Sequence, residues 1–316
     1  MGQAGGDGVN GGALLLQFLI FPGLLFTGAA GLVTSWVDRK VTARVQMRAG
    51  PPFFQPFYDI GKLLIKDTCV PEGAPLGLFL SAPLIGLAAV VLASTILWQA
   101  LLDPSATFVG DLIVVIYLLA IPALAVILGA FASHNPFASL GGSREMKLLI
   151  GYELPFLLAV LVPVIQVGSI RLGDLLAQPA AAVLPSGVLA LLVAVVCMQA
   201  KLTLVPFDLP EAEGELTGGA YIEYSGPPLA MFKLTRAMML FTMPVFLIVL
   251  FVGGIVINGG WLAKLFGVLL WFLLVTVTIV LRNTTPRLRT DQAIRFFWGP
   301  VTVVASLAAA LAWVGW

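Results

Sequence analysis

The hydrophobic positions of this chain fall in long unbroken runs, with polar positions gathered in short links between them. Apolar stretches lie at roughly 13–36, 77–101, 109–132, 147–168, 186–205, 228–252, 261–281 and 299–316. A helix rises about 1.5 Å per residue, so about twenty apolar residues cross a hydrocarbon core about 30 Å thick. The pattern predicts an all-α fold: one membrane domain over residues 1–316, a polytopic bundle of about eight transmembrane helices. Pro83, Pro122, Pro155, Pro163 and Pro244 fall inside these runs and predict kinks. Neighbouring helices in a bundle can satisfy the carbonyls that such prolines free. No internal repeat of the kind found in inverted-repeat transporters is visible. Residues 1–12 are Gly-rich and carry no base, unlike the positive start of a signal peptide, so 13–36 is read as a retained first helix.

One link breaks the pattern. From 55 to 66, Gln55, Asp59, Lys62 and Lys66 recur at helical spacing on one face, while Phe54, Phe57, Tyr58, Leu63, Leu64 and Ile65 supply apolar area elsewhere. Pro51, Pro52 and Pro56 open the segment. This predicts a short amphipathic helix on the membrane surface at about 53–67, serving as an interfacial anchor or as a platform for a peripheral subunit.

Composition agrees. Hydrophobic residues make up 59% of the 316, and charged residues only 10%, against about 25% in soluble domains. That balance makes lipid the solvent. A net charge of +1 gives no electrostatic case for nucleic acid. Cys69 and Cys197 are far apart, and the one histidine, His134, sits in an Asn-Pro turn. Zinc and iron–sulfur sites need several ligands at tight spacing, and nucleotide fingerprints need an ordered Gly motif; neither pattern is present. The sequence therefore predicts no cofactor in this chain and assigns any redox centre to another polypeptide.

The bases are unevenly distributed. The first link carries Arg39, Lys40, Arg44, Arg48, Lys62 and Lys66, the third Arg144 and Lys147, and the seventh Arg282, Arg287, Arg289 and Arg295. The even links offer Arg171 and, near a helix start, Lys264. Positive charge favours the cytoplasmic side. The odd links are expected to be cytoplasmic, with both termini outside the cell membrane.

Charges within a membrane bundle are costly and mark candidate ion pathways. Two places qualify. At the start of the fourth run, Glu145 and Glu153 lie eight residues apart, near one helical face. Glu153 falls two turns into apolar sequence, where desolvation disfavours a carboxylate and suits it to proton relay, the alternative being a structural partner for an arginine. In the fifth link, an expected acidic cytoplasmic loop over about 206–226, Asp208, Glu211, Glu213 and Glu215 fall within eight residues, with Glu223 further on. Helical spacing would put Asp208, Glu211 and Glu215 on one face, and so many like charges favour a shared proton. Lys201, Lys233 and Arg236 flank this loop as possible counter-charges, and the alternative is a solvated acidic loop.

At these residues the chain resembles a known family. The run Pro206-Phe-Asp-Leu-Pro-Glu-Ala-Glu-Gly-Glu-Leu216, continuing to Glu223-Tyr-Ser-Gly226, resembles the signature of the H subunit (ND1-type) of respiratory complex I. So do Asp38-Arg-Lys-Val-Thr-Ala-Arg-Val-Gln-Met-Arg-Ala-Gly-Pro51, Tyr152-Glu-Leu-Pro155 and Thr285-Pro-Arg-Leu-Arg-Thr-Asp-Gln292. The matches cover nearly the whole chain in order. Pro51, however, runs almost directly into Pro52-Phe-Phe-Gln-Pro56. That short form is similar to the membrane subunit of energy-converting membrane-bound [NiFe] hydrogenases and related sulfur reductases, and it weighs against quinone binding.

The resemblance implies a non-catalytic, ion-coupling membrane subunit beneath a soluble redox arm. The implied partners are a [NiFe]-hydrogenase-like large subunit, an iron–sulfur small subunit and antiporter-like membrane subunits, with the [NiFe] centre and iron–sulfur clusters held by those partners. The expected ion pathway is Glu145, Glu153, Asp208, Glu211, Glu213, Glu215, Glu223, Lys233 and Arg236. The expected docking surface for the arm is Arg39, Arg44, Arg48, Asp59, Lys62, Lys66, Arg282, Arg287 and Arg289, where the alternative roles are topology and lipid head groups. Two other functions stay open: the quinone-binding membrane subunit of a complex I-type NADH or F420H2 dehydrogenase, and a free-standing ion transporter. Whether H⁺ or Na⁺ moves is not encoded in these motifs.

Overall fold

The computed structural model describes residues 11–211 and 217–315. Thirteen α-helices are present among them. They are α1 (Gly11–Leu19), α2 (Leu24–Val45), α3 (Gln55–Ile65), α4 (Leu76–Leu102), α5 (Asp111–Ala132), α6 (Pro136–Val167) and α7 (Leu172–Ala177). Then come α8 (Pro185–Lys201), α9 (Gly226–Phe251), α10 (Gly253–Asn258), α11 (Trp261–Thr284), α12 (Thr290–Phe296) and α13 (Thr302–Val314). The molecule is a polytopic helical membrane bundle. Seven helical stretches are long and apolar enough to span a bilayer, and α8, with 17 residues, is a shorter apolar helix between two of them.

The ends of the elements follow local chemistry. The first run is broken at Ile20–Gly23, where Pro22 has no N–H to continue the ladder. Thr27 Oγ1 donates to the freed Pro22 carbonyl at 2.9 Å. Helix α6 starts well before the expected 147, because Asn135 accepts a hydrogen bond from Phe137 N at 2.8 Å and Pro136 occupies the first turn. Glu145 therefore lies in the third turn of α6 rather than at its opening. The last span also starts early, at Thr290, and passes Pro300 through a π-helical turn over Phe297–Val301 before α13.

Helix α9 is the axis: 83% of its membrane window is buried, against 28% for α11 and for the α12–α13 span. It packs on α2 and α4, while α6 packs on α5, α8 and α13. The links sort onto two ends of the bundle. Odd links meet one another: Asp38 with Arg282, Asp208 with Arg287, Cys69 N with Ser225 Oγ, and Asn135 with Glu223. Even links do likewise: Arg171 donates to Thr107 Oγ1 and to the Ser105 carbonyl, and Asp111 Oδ1 accepts from Leu172 N. Helix α3 leans on α2 and α9 at the odd end, with Tyr58, Leu64 and Ile65 exposed.

Candidate functional site

Four ion pairs at the odd end surround one cavity. The last two turns of α2 carry Asp38 and Arg39. Asp38 accepts from Arg282 Nη1 at 2.8 Å, and Arg39 Nη1 donates to Asp59 Oδ2 at 2.7 Å. From the fifth link, Asp208 accepts from Arg287 at 2.9 Å and Glu211 pairs with Arg236 of α9. Arg236 also donates to the Thr203 carbonyl at 3.2 Å. The cavity they enclose has a volume of about 800 Å³. Its charged walls are six bases (Arg39, Lys62, Lys233, Arg236, Arg282, Arg287) and four acids (Asp38, Asp59, Asp208, Glu211). Apolar wall area comes from Leu32, Ile60, Leu204 and Leu240 among others.

The fifth link is seated backbone to backbone. Gly219 has φ +57°, and a Cβ there would lie 1.8 Å from the Pro210 carbonyl oxygen. A Cβ on Gly141 of α6 would lie 2.7 Å from Ala220 N. These two glycines let the loop close on itself and onto α6. Tyr224 fixes its far end by stacking on Phe79 at 4.2 Å and donating to the Phe79 carbonyl at 3.1 Å.

The loop carboxylates differ in environment. Burial, reinforced by the neighbouring Glu211 charge, pushes Asp208 up to about 6, against the pull of Arg236 and Arg287. Its Oδ1 is buried with no hydrogen-bond partner among the described residues. Partial burial disfavours the Asp59 carboxylate, but hydrogen bonds from Arg39 and Gln55, with the Arg39 and Lys62 charges, outweigh it and hold the group below its ordinary 3.8. Burial, then Glu211, pushes the Tyr221 phenol up and keeps it a donor.

Glu145 is buried in α6, 1% exposed, with Oε2 unpartnered among the described residues. It is within electrostatic reach of Glu211, Arg236 and Asp208. Two turns further along α6, Tyr152 is wholly buried and Glu153 pairs with Lys201 Nζ at 3.1 Å. The partner of Glu153 is a lysine rather than the alternative arginine, because the C-terminus of α8 places Lys201 against α6.

The structure redistributes the two sequence-derived groups. Arg39, Asp59, Lys62, Arg282 and Arg287, expected on a docking platform, line the same cavity as Asp208, Glu211, Lys233 and Arg236 from the expected pathway. Arg44, Arg48, Lys66 and Arg289 are exposed outside the large cavity. Arg48 bonds to Gln46 and lines a smaller cavity of about 320 Å³ with Asp38 and Arg282. Glu223 is held apart by Asn135, whose Nδ2 donates to it at 2.5 Å. Glu213 and Glu215 lie outside the described residues. Asp38 and Lys201 were absent from the expected pathway. Each is a charge at the end of a long apolar run, and that position was the available signal.

A family model described as NADH dehydrogenase matches residues 16–313. The chain belongs to the NADH dehydrogenase family. Among relatives, the H subunit of the NADH-quinone oxidoreductase of Brevibacillus brevis is 34% identical over 307 residues, covering 92% of this chain and 90% of that protein. Its counterpart from Syntrophotalea carbinolica is 35% identical over 327 residues, covering 96% of each. A chain of the membrane-bound sulfane sulfur reductase, an archaeal respiratory membrane complex, superposes with a TM-score of 0.83 at 26% identity, covering 95% of this chain and 99% of that one. The family match spans every element that builds the cavity.

Proposed function

We propose that this chain is the ion-coupling membrane subunit of a respiratory oxidoreductase complex in the cell membrane, with its odd links cytoplasmic. In this reading the cavity end docks the soluble redox arm. That arm, a [NiFe]-hydrogenase-like large subunit with an iron–sulfur small subunit, carries the redox centres, and antiporter-like subunits lie alongside in the membrane. The observation that carries the reading is the meeting of members of both residue groups in one cavity, with the buried Glu145 within electrostatic reach of its Asp208, Glu211 and Arg236. A change of charge or loop position at the arm acts on the four ion pairs. Each pair released or formed alters the electrostatic free energy of a proton on Asp208 and Glu145, and electrons need not enter this chain.

Quinone reduction at this cavity is the second reading, favoured by the names of the NADH-quinone oxidoreductase relatives. The wall chemistry supports the first reading, since ten charged side chains are a poor match for an apolar ring and tail. Ions moved per electron, measured on the intact complex in proteoliposomes, test the proposal. Glu145→Gln and Asp208→Asn are expected to lower that ratio by roughly tenfold or more, the scale of a lost acid–base group. Wild-type ratios in both variants would sink it. Inhibition by a quinone analogue that cross-links to the cavity walls would favour quinone instead.

A further inference from the structure

Lys201 is the most deeply enclosed base of the bundle for which a partner is seen. Its side chain is 0% exposed, at the C-terminal end of α8. Among the described residues its one anionic partner is Glu153, with Nζ at 3.1 Å from one carboxylate oxygen and 3.5 Å from the other. The rest of the ammonium's surroundings are aromatic: Nζ lies 4.3 Å from the Phe156 ring centroid and 5.5 Å from that of Tyr152. An ammonium buried with one carboxylate leaves N–H donors to be met by ring faces, which attract a cation whether or not Glu153 is charged. The negative end of the α8 dipole adds to that hold.

Glu153 is not equally enclosed. Its side chain is 25% exposed on a helix that spans the membrane. Next to it in the chain is Tyr152, with its hydroxyl buried and unpartnered among the described residues, and seven residues before Tyr152 on the same helix comes Glu145, also buried with an unpartnered oxygen. Seven residues are close to two turns, so Glu145 and Tyr152 lie on one face of α6. Helix α6 thus carries two buried polar groups with unpartnered atoms and, next to the second, a carboxylate that is partly exposed and gripped by a buried cation. A pair built only for stability would not need this asymmetry, since a hydrophobic replacement of a buried pair is often as stable.

We propose that Lys201 and Glu153 form one proton-exchanging unit in which the lysine is a fixed cation and the carboxylate alternates. The inference rests on the coupling role proposed above. In the arrangement seen here, Glu153 is paired with Lys201, and this pair is the unloaded state of the proposal. Loading transfers a proton from Glu145: the Glu145 O–H bond breaks, an O–H bond forms on Glu153, and the Tyr152 hydroxyl passes the proton by giving up its own and taking the incoming one. Protonated Glu153 loses its attraction to Lys201, whose ammonium stays over Phe156. Unloading breaks the Glu153 O–H bond, forms one on a water or base at the exposed side, and lets the Lys201 pair close again. The closing pair disfavours return of the proton, which gives the step a direction.

The test uses the intact complex in proteoliposomes, reading ions moved per electron, together with redox-induced infrared difference spectra. The ratio is expected to fall by roughly tenfold or more in Lys201→Met and Glu153→Gln, while Lys201→Arg keeps most of it. Wild type is expected to show a carboxylic-acid C=O band that Glu153→Gln lacks and that Lys201→Arg shifts, since the acid then sits beside a different cation. A wild-type ratio in Lys201→Met with a collapsed ratio in Glu145→Gln overturns the lysine unit and leaves the coupling role standing. Wild-type ratios in every variant overturn both. If Lys201→Met does not assemble, the spectra decide: no Glu153 band, or a band unmoved in Lys201→Arg, overturns the proposal.

Discussion

Asp208 is a loop carboxyl whose environment changes its chemistry. Its carboxyl is pushed up to about 6 by burial and by Glu211, although Arg287 sits 2.9 Å away. The folded-state value lies above the ordinary 3.8, so the folded chain holds this proton more tightly than the unfolded chain does. The stability that Asp208 contributes is therefore largest below 3.8 and is lost as pH rises toward about 6. Through the same window the carboxylate forms and the Arg287 pair strengthens, so the cavity wall becomes more negative as pH rises. The pH profile of ion transport per electron should show an inflection near 6 that disappears in Asp208→Asn. An unchanged inflection in that variant would place the titrating group elsewhere.

At the scale of elements, the fifth link depends on two backbone contacts that side chains would block. In Gly219→Ala the new methyl meets the Pro210 carbonyl and the residue keeps φ +57°, at a cost of roughly 1–3 kcal/mol for the backbone alone. The complex should lose thermal stability by at least that amount, and coupling should fall with it. An equally stable and fully coupled variant would show that the loop is not seated this way. This scale also marks what the sequence could and could not reveal. The seven long apolar helices, the shorter α8, their prolines and the helix α3 were legible, because each is a local pattern of apolar spacing and breakers. The early start of α6 follows from the Asn135-Pro136 cap, which lies before a stretch, 139–147, too polar for apolar spacing to mark as helix. The pairing of Lys201 with Glu153, 48 residues apart, and of Asp38 with Arg282, 244 apart, depends on which helices pack together, and hydropathy does not carry that. Members of the docking and pathway groups share one cavity for the same reason: links distant in sequence converge there.

For the whole molecule, the decisive geometric fact is that odd and even links occupy opposite ends, each tied together by its own polar contacts. Bases are concentrated at the odd end, and by the positive-inside rule the proposed orientation turns the cavity toward the cytoplasm. The chain carries its own reporter for this. Cys69 is exposed in the first link, and Cys197 is buried within the bundle, so an impermeant maleimide has one native target. In inverted vesicles, where the cytoplasmic face is outward, Cys69 should react; in right-side-out vesicles it should be protected. Cys69→Ser combined with Ser105→Cys moves the thiol to an even link, where Ser105 is exposed, and should reverse the pattern. A docked arm could shield Cys69, so labelling is compared before and after the arm is stripped with salt. Reaction that appears on stripping inverted vesicles locates the arm over the first link as well as the cytoplasmic side. Reaction of Cys69 from the outer side would invert the bundle, place the cavity away from any cytoplasmic electron donor, and remove the basis for coupling.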